Sequence, residues 1–114
     1  MKNEANIECR KAHWAIQDTL YVLNGKWKLV LLAILISEGP KRFGELARAA
    51  KISPRILSKE LQELEVNQMI SRKICDTRPV TVEYSAMPYA QTLKDVLDAM
   101  SRWGENHRLK ITGK

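Results

Sequence analysis

Residues 44–65 read GELARAAKISPRILSKELQELE, which contains two helical patterns separated by a tight turn. The first pattern covers residues 44–50 and is short. Ser53 is a good N-cap and Pro54 suits the first helical position, so a second helix is predicted from there to about residue 68. This order predicts a helix-turn-helix, whose second helix enters the major groove of DNA with its N-terminal residues facing the bases.

The second helix of this pattern has two chemically different sides. Its leucines recur at helical spacing and predict a side that faces the core. The side chains left on the outer side of the first turns are basic or carry hydroxyl or amide groups. Together with the turn, the candidate DNA contacts are Lys51, Ser53, Pro54, Arg55, Ser58, Lys59 and Gln62.

These residue types suit distinct contacts with a DNA duplex. Arg55 near the helix N-terminus can make paired hydrogen bonds to guanine, and Ser58 can reach a base or a phosphate. Lys51 and Lys59 suit phosphates, and a cap at Ser53 leaves amide groups close to a phosphate. In an isolated helix the simpler interpretation is a solvated surface. The short helix before it and the strands after it favour DNA contact.

The charge balance points to the same part of the chain. The 114 residues carry a net charge of +6 and have a pI of about 9.5, which favours a polyanionic partner. Residues 41–80 hold nine basic and five acidic residues, a net charge of +4, whereas each flank has only +1. A solvated charged surface remains the plain alternative.

The rest of the chain predicts a mainly α fold with a small β-hairpin wing. Helices are expected at residues 12–23 and 26–37, and residues 41–43 form an extended link. Two strands are expected at 70–75 and 80–84, because β-formers and alternating patterns occur there. A hairpin directly after a helix-turn-helix is a wing, and Arg78 in its turn is a candidate for the minor groove or a phosphate.

A long helix is predicted from Pro88 to about residue 107. Its apolar stripe is longer than a core of this size needs, and it predicts a contact with a second copy of the chain, together with the first helix. The candidate dimer residues are Leu93, Val96, Leu97, Met100 and Trp103.

Several ordered stretches resemble one family. They are Asn24–Trp27 (NGKW), Gly39–Leu46 (GPKRFGEL), Ile52–Leu57 (ISPRIL), Leu61–Glu65 (LQELE), Val82–Ser85 (VEYS) and Trp103-Gly104. In this order and spacing, the chain resembles HxlR-type winged helix-turn-helix transcriptional regulators, relatives of the MarR-like regulators. It departs from the family at Arg10 and Val80, where proline is usual.

The resemblance implies a homodimeric DNA-binding regulator in a bacterial or archaeal cytoplasm. It also favours a phosphate contact by Arg42. Many similar proteins respond to oxidants or electrophiles through a cysteine just before the first helix, and Cys9 matches that position. Arg10 and Lys11 follow Cys9, and nearby positive charge stabilises a thiolate. The alternative is an inert cysteine, and Cys75 on a wing strand is interpreted as structural.

The predicted layout is one winged helix domain over residues 1–114. Residues 1–24 and 88–110 supply dimerisation helices, 44–68 the helix-turn-helix and 70–85 the wing. The expected function is a sequence-specific regulator, a repressor on a near-palindromic operator. The alternative is a winged-helix protein-interaction module without specific DNA binding.

Other functional classes have little support in the sequence. The two histidines belong to no catalytic triad, metal motif or phosphate loop, so we expect neither an enzyme nor a metal or cofactor. The most apolar run, residues 27–36, is too short to cross a membrane. The sequence leaves open the operator, the sign of regulation and any small-molecule or oxidant effector.

Overall fold

The computed structural model describes residues 2–113, with side chains from residue 8 onward. Five α-helices and three short strands follow one another within these described residues. They are α1 (Lys2–Val22), α2 (Lys28–Glu38), β1 (Lys41–Arg42), α3 (Phe43–Ala50), α4 (Pro54–Val66), β2 (Ile70–Cys75), β3 (Thr81–Ala86) and α5 (Lys94–Thr112), with a 3₁₀ helix at Pro88–Leu93. The order agrees with the mainly α fold with a small wing that the sequence predicts.

Helix α2 lies at the centre of the fold and contacts α3, α4, β3 and α5. Its residues Leu31, Leu32 and Leu35 are buried and Leu29 is partly buried, which explains its nearly all-apolar sequence. The buried apolar side chains are Leu23, Leu31, Leu32, Leu35, Leu46, Ile52, Leu57, Leu61, Leu64, Met69, Ile70, Tyr84 and Ala90. This core holds α3 and α4 in a fixed relation to the sheet.

The sheet has three antiparallel strands in the order β1-β3-β2, not two. Lys41 pairs with Tyr84 and Arg42 with Glu83, so the segment expected as a link is a strand. The two long strands pair from Ile70 opposite Ala86 to Cys75 opposite Thr81. Because β1 is tied to β3, the start of α3 is anchored beside the wing.

Helix α1 begins much earlier than the apolar stripe suggests. The sequence predicted its start at residue 12, with Cys9 in a short segment before it, and this placement was wrong: Cys9 lies inside α1. The segment before residue 12 contains two lysines, two glutamates and an arginine, which have high helix propensity, and it contains no proline or glycine. The helix therefore forms there although no apolar stripe marks it.

The last helix is broken at its start. The chain from Pro88 to Leu93 forms a 3₁₀ helix, and α5 begins only at Lys94. The side chain of Met87 makes no hydrogen bond at the N-cap of the 3₁₀ helix, and Ala90 packs into the core. Helix α5 then continues to Thr112, beyond the predicted end, and no residue from Lys94 to Thr112 is buried.

Within residues 2–113, no helix combines the length and the apolar character needed to cross a membrane.

Candidate nucleic-acid interface

The N-terminus of α4 has the capped geometry that the sequence predicts. Ser53 is extended, with φ −67° and ψ 147°, and its Oγ accepts a hydrogen bond of 3.4 Å from the backbone N–H of Ile56. Pro54 occupies the first turn, where no backbone donor is needed. The exposed start of α4 therefore presents its remaining N–H groups and partial positive charge to solvent.

Helix α4 packs one side into the core and exposes the opposite side. Leu57, Leu61 and Leu64 are almost completely buried. At 100° per residue, Arg55, Lys59 and Gln62 project away from those leucines, and all three are exposed. Ser58 is exposed on the flank nearest the sheet. The structure thus brings the predicted α4 contacts together on one accessible surface.

The turn between α3 and α4 is fixed by a buried anchor. Ile52 is buried and its backbone N–H donates to the carbonyl oxygen of Ala47 at 3.1 Å. Lys51 takes a left-handed conformation, with φ 55° and ψ 48°, and its side chain is exposed beside the start of α4. A lysine at this corner can reach a phosphate without disturbing the packing of the turn.

Arg42 ends β1 and is the N-cap of α3, so it lies at the end of that helix opposite Lys51. Its backbone N–H donates to Oε1 of Glu45 at 2.8 Å, and this hydrogen bond lowers the pKa of the Glu45 carboxyl. The Arg42 side chain is exposed. It shares a groove of about 460 Å³ with Gly44 and Arg48 of α3 and with Thr81 at the start of β3.

The wing carries Arg78 in the turn between β2 and β3. Thr77 closes this turn, since its Oγ1 donates to the carbonyl oxygen of Pro79 at 2.9 Å and lies 3.1 Å from Thr81 Oγ1. Arg78 is exposed in the turn that joins the two long strands of the wing. Its position suits a contact with a neighbouring groove or phosphate.

Two arginines were missed by sequence reasoning. Arg48 joins Arg42 in the groove between α3 and the wing. Arg72 of β2 lines a cleft of about 300 Å³ together with Ser58 and Gln62 of α4. The period of two residues in β2 places Arg72 on the same face as the buried Ile70, but its approach to α4 depends on the packing of the sheet against that helix.

A buried ion cluster fastens α4 to α2 and was also missed. Lys28 Nζ lies 2.8 Å from Oε2 of Glu60 and 3.3 Å from Oε1 of Glu63, and it donates to Oδ1 of Asn24 at 3.1 Å. The Lys28 side chain is only 2% exposed. Burial by itself lowers the pKa of Lys28, but the hydrogen bonds and charges of Glu60 and Glu63 outweigh burial and raise that pKa above the usual lysine value.

The two terminal helices expose apolar side chains. On α1, Trp14, Ile16, Leu20 and Tyr21 are all more than half exposed. On α5, three of the predicted dimer residues are accessible: Val96 is 45%, Met100 49% and Trp103 68% exposed, and Trp103 stacks on His107 with ring centroids 5.0 Å apart.

The other two predicted dimer residues lie closer to the core of the protomer. Leu93 packs against the core, and Leu97 faces Ala33 and Ile36 of α2. A dimer contact by any of the five remains a prediction.

Cys9 is exposed, whereas Cys75 is half-buried on β2. Helical spacing places Cys9 on the same side of α1 as His13, Ile16 and Leu20. Among the described residues, histidine, cysteine and acidic side chains form no group of three that could hold a metal ion.

Comparison with known proteins shows that this chain has relatives. A family model described as HxlR-like helix-turn-helix matches residues 22–111. YtcD of Bacillus subtilis (strain 168), an HTH-type transcriptional regulator, is 36% identical over 108 residues, which cover 94% of this chain and 85% of YtcD.

Solved structures agree with this match. The redox regulator HypR in its reduced form has a TM-score of 0.78 at 34% identity, covering 88% of this chain and 99% of HypR. The reduced transcriptional regulator YodB from B. subtilis has a TM-score of 0.69 at 28% identity, covering 79% and 89% of the two chains. These likenesses confirm the winged helix-turn-helix fold.

Proposed function

This chain belongs to the HxlR-like helix-turn-helix family of transcriptional regulators, not to an enzyme family, and we propose that it is a repressor that binds a near-palindromic DNA site as a homodimer in the cytoplasm. The observation that carries the proposal is the exposed surface of α4. There Arg55, Lys59 and Gln62 share one side of a helix whose opposite side is locked into the core.

Base reading is assigned to the first turns of α4. Arg55 has two parallel N–H donors for guanine, and Gln62 has the donor and acceptor that adenine requires. Ser58 adds a shorter hydroxyl contact on the flank next to Arg72. Because Leu57, Leu61 and Leu64 are almost completely buried, these groups are presented on a helix packed against the core rather than on a mobile loop.

Phosphate contacts are assigned to residues around this helix. Lys51 and Lys59 lie on the exposed side near the start of α4, where the capped N-terminus also attracts an anion. Arg42, together with Arg48, supplies positive charge at the groove beside α3. Arg78 extends the contact through the wing. Such contacts set the register of the protein on DNA and carry little sequence preference.

The exposed apolar sides of α1 and α5 support the homodimer. Met100 and Trp103 share one side of α5, Trp14 and Leu20 lie on α1, and all four are about half or more exposed; apolar exposure of this kind marks an interaction surface. A two-fold dimer would present two α4 helices to successive major grooves, about 34–36 Å apart. The DNA site would then be a near-palindrome, and a repressor would act by occupying it within a promoter.

Selection of bound fragments from random duplex DNA tests this proposal directly. We expect enrichment of a near-palindrome with half-sites about one helical turn apart. Affinity should fall as salt rises, with a slope of about −0.9 for each neutralised phosphate on a log–log plot. The alternative function, a protein-interaction module, predicts no enriched sequence and no salt-dependent shift of random duplex DNA.

A thiol response through Cys9 is a further part of the proposal. Cys9 is exposed and shares a side of α1 with the apolar residues Ile16 and Leu20. HypR, which is similar to this chain over 99% of its own length, is a redox regulator. Oxidation of Cys9 at a contact between protomers would alter their relative orientation, and with it the spacing of the two α4 helices.

We expect mild peroxide to change operator affinity in the parent protein and in Cys75→Ser, but not in Cys9→Ser. The Cys9 thiolate attacks one oxygen atom of hydrogen peroxide and the O–O bond breaks; the second oxygen leaves as hydroxide and takes up the proton, so the products are a sulfenate and water. Cys75 is the matched control, because it is half-buried on β2 and less accessible to an oxidant. The measurement is the DNA dissociation constant before and after oxidation and after reduction with dithiothreitol. An oxidant response retained by Cys9→Ser and lost by Cys75→Ser would assign the response to the other cysteine.

A further inference from the structure

Lys28 occupies a position that local helix stability does not explain. It is the first residue of α2, where the positive end of the helix dipole disfavours a cation. Its side chain is buried, and removing an ammonium group from water is costly unless the group is paired. The stabilisation of the buried Lys28 ammonium group must therefore come from partners on other elements.

Two of those partners belong to α4. Glu60 and Glu63 are 32 and 35 residues away along the chain, yet their carboxylates lie 2.8 and 3.3 Å from Lys28 Nζ. Glu60 is buried, and Oε2 of Glu63 is buried without a hydrogen-bond partner among the described residues. A buried ion pair of this kind is often no more stabilising than an apolar pair of similar size, whereas its geometry is specific.

The third partner connects the cluster to α1. Asn24 Oδ1 accepts from Lys28, while its Nδ2 donates to the carbonyl oxygen of Tyr21 at 3.0 Å. A cleft of about 460 Å³ separates Tyr21 and Val22 from Gln62 and Val66. Across this cleft, Lys28 and Asn24 provide a hydrogen-bonded link between the end of α1 and the side of α4.

The cluster holds α4 at one particular rotation about its own axis. Glu60 and Glu63 lie on the flank of α4, between the buried leucines and the exposed surface of Arg55 and Gln62. Leucine side chains tolerate small rotations because apolar contacts are not directional, whereas hydrogen bonds weaken as their geometry departs from the optimum. With a helix radius of about 6 Å, a rotation of about 10° moves an outward side chain by about 1 Å, enough to spoil a paired contact with a base.

We propose that Lys28 is a positioning residue for DNA recognition, which fixes the rotation of α4 through Glu60 and Glu63 and couples it to α1 through Asn24. The inference rests on the proposed base-reading function of α4. In this proposal Lys28 does not contact DNA itself; it determines the orientation of the Arg55 and Gln62 side chains. Losing Lys28 should therefore reduce discrimination between DNA sequences more than it reduces binding to DNA in general.

The test compares the selected site with a scrambled duplex of equal length. Lys28→Met/Glu60→Met removes one charge of each sign, so the net charge is unchanged, and keeps similar side-chain volumes. We expect its ratio of specific to non-specific affinity to fall at least about tenfold, the scale of one mismatched base pair, with the scrambled duplex bound as before. Glu60→Gln keeps an oxygen acceptor for Lys28 and should retain a ratio within about twofold of the parent.

Each outcome separates this inference from the function on which it rests. If the parent protein shows no preference for any sequence, base reading by α4 fails. If the parent discriminates and the folded double variant discriminates equally well, Lys28 is not a positioning residue. A parallel loss on both duplexes has the same meaning, because it indicates a general loss of binding.

If the double variant does not fold, substitutions of Asn24 test the proposal instead. Asn24 is exposed, so Asn24→Ala and Asn24→Asp should both leave the fold intact. Asn24→Asp keeps the acceptor for Lys28 and should keep the affinity ratio, whereas Asn24→Ala should lower it about threefold, the effect expected for one hydrogen bond of about 0.7 kcal/mol. Equal ratios for Asn24→Ala and the parent would overturn the proposal.

Discussion

Met100→Glu is expected to convert the protein into a folded monomer that no longer binds its operator tightly. Met100 is 49% exposed on the side of α5 that carries Val96 and Trp103. In a two-fold interface the substitution occurs twice, and each buried carboxylate lacks a partner. The cost of removing two unpaired charges from water is several kcal/mol for each, which exceeds what most dimers can absorb.

The loss of DNA affinity follows from the loss of the second half-site. A monomer places one α4 helix in one groove and makes about half of the phosphate contacts. We expect about a thousandfold weaker binding, which moves the dissociation constant toward the micromolar range of non-specific association. Sedimentation at micromolar concentration measures the mass, circular dichroism measures folding, and a titration of operator DNA measures affinity.

Ser101→Glu is the matched control for this substitution. It adds the same charge one residue further along α5, about 100° around the helix from Met100, on the side that faces Ala33 and Ile36 of α2. Ser101 is exposed, so the control should fold, remain dimeric and keep its affinity. A Met100→Glu protein that is folded and still dimeric would exclude this side of α5 from the interface.

Locally encoded features of the fold were predictable from the sequence. The start of α4 was predictable because its signals, Ser53 and Pro54, lie within the turn itself, and the structure confirms it. The leucine side of α4 was equally plain, since Leu57, Leu61 and Leu64 repeat with the period of a helix. In both cases the information that determines the structure lies within a few residues of the place where it acts.

Features that depend on distant partners were not predictable in the same way. Strand β1 is only two residues long, and it is a strand because Lys41 and Arg42 pair with β3 some forty positions later. Lys28 lies within the apolar run 27–36, and the sequence does not show its partners, because Glu60 and Glu63 are brought to it only by the packing of α4 on α2. The first turns of α1 were missed for another reason: helix propensity, without an apolar stripe, determines that segment.

Arg55→Ala is expected to reduce affinity for the selected site and to relax the preference at one base position in each half-site. Arg55 is exposed on the first turn of α4, beside the capped N-terminus. A paired contact between arginine and guanine contributes roughly 1–3 kcal/mol of discrimination, or about 5- to 150-fold in affinity. Repeating the DNA selection with the variant identifies the position whose preference disappears.

Arg78→Ala is the control that separates base reading from general attraction. It removes the same charge from another exposed arginine, but from the wing turn between β2 and β3. If Arg78 contacts a phosphate, the affinity for all DNA sequences should fall about equally and the salt slope should fall by about 1, with the selected sequence unchanged.

Equal binding of the selected site by Arg55→Ala and by the parent would remove Arg55 from base reading. The same selected sequence with uniformly lower affinity would make Arg55 a phosphate contact. Only a change in the selected sequence, absent from Arg78→Ala, identifies the first turn of α4 as the part of the protein that reads the DNA.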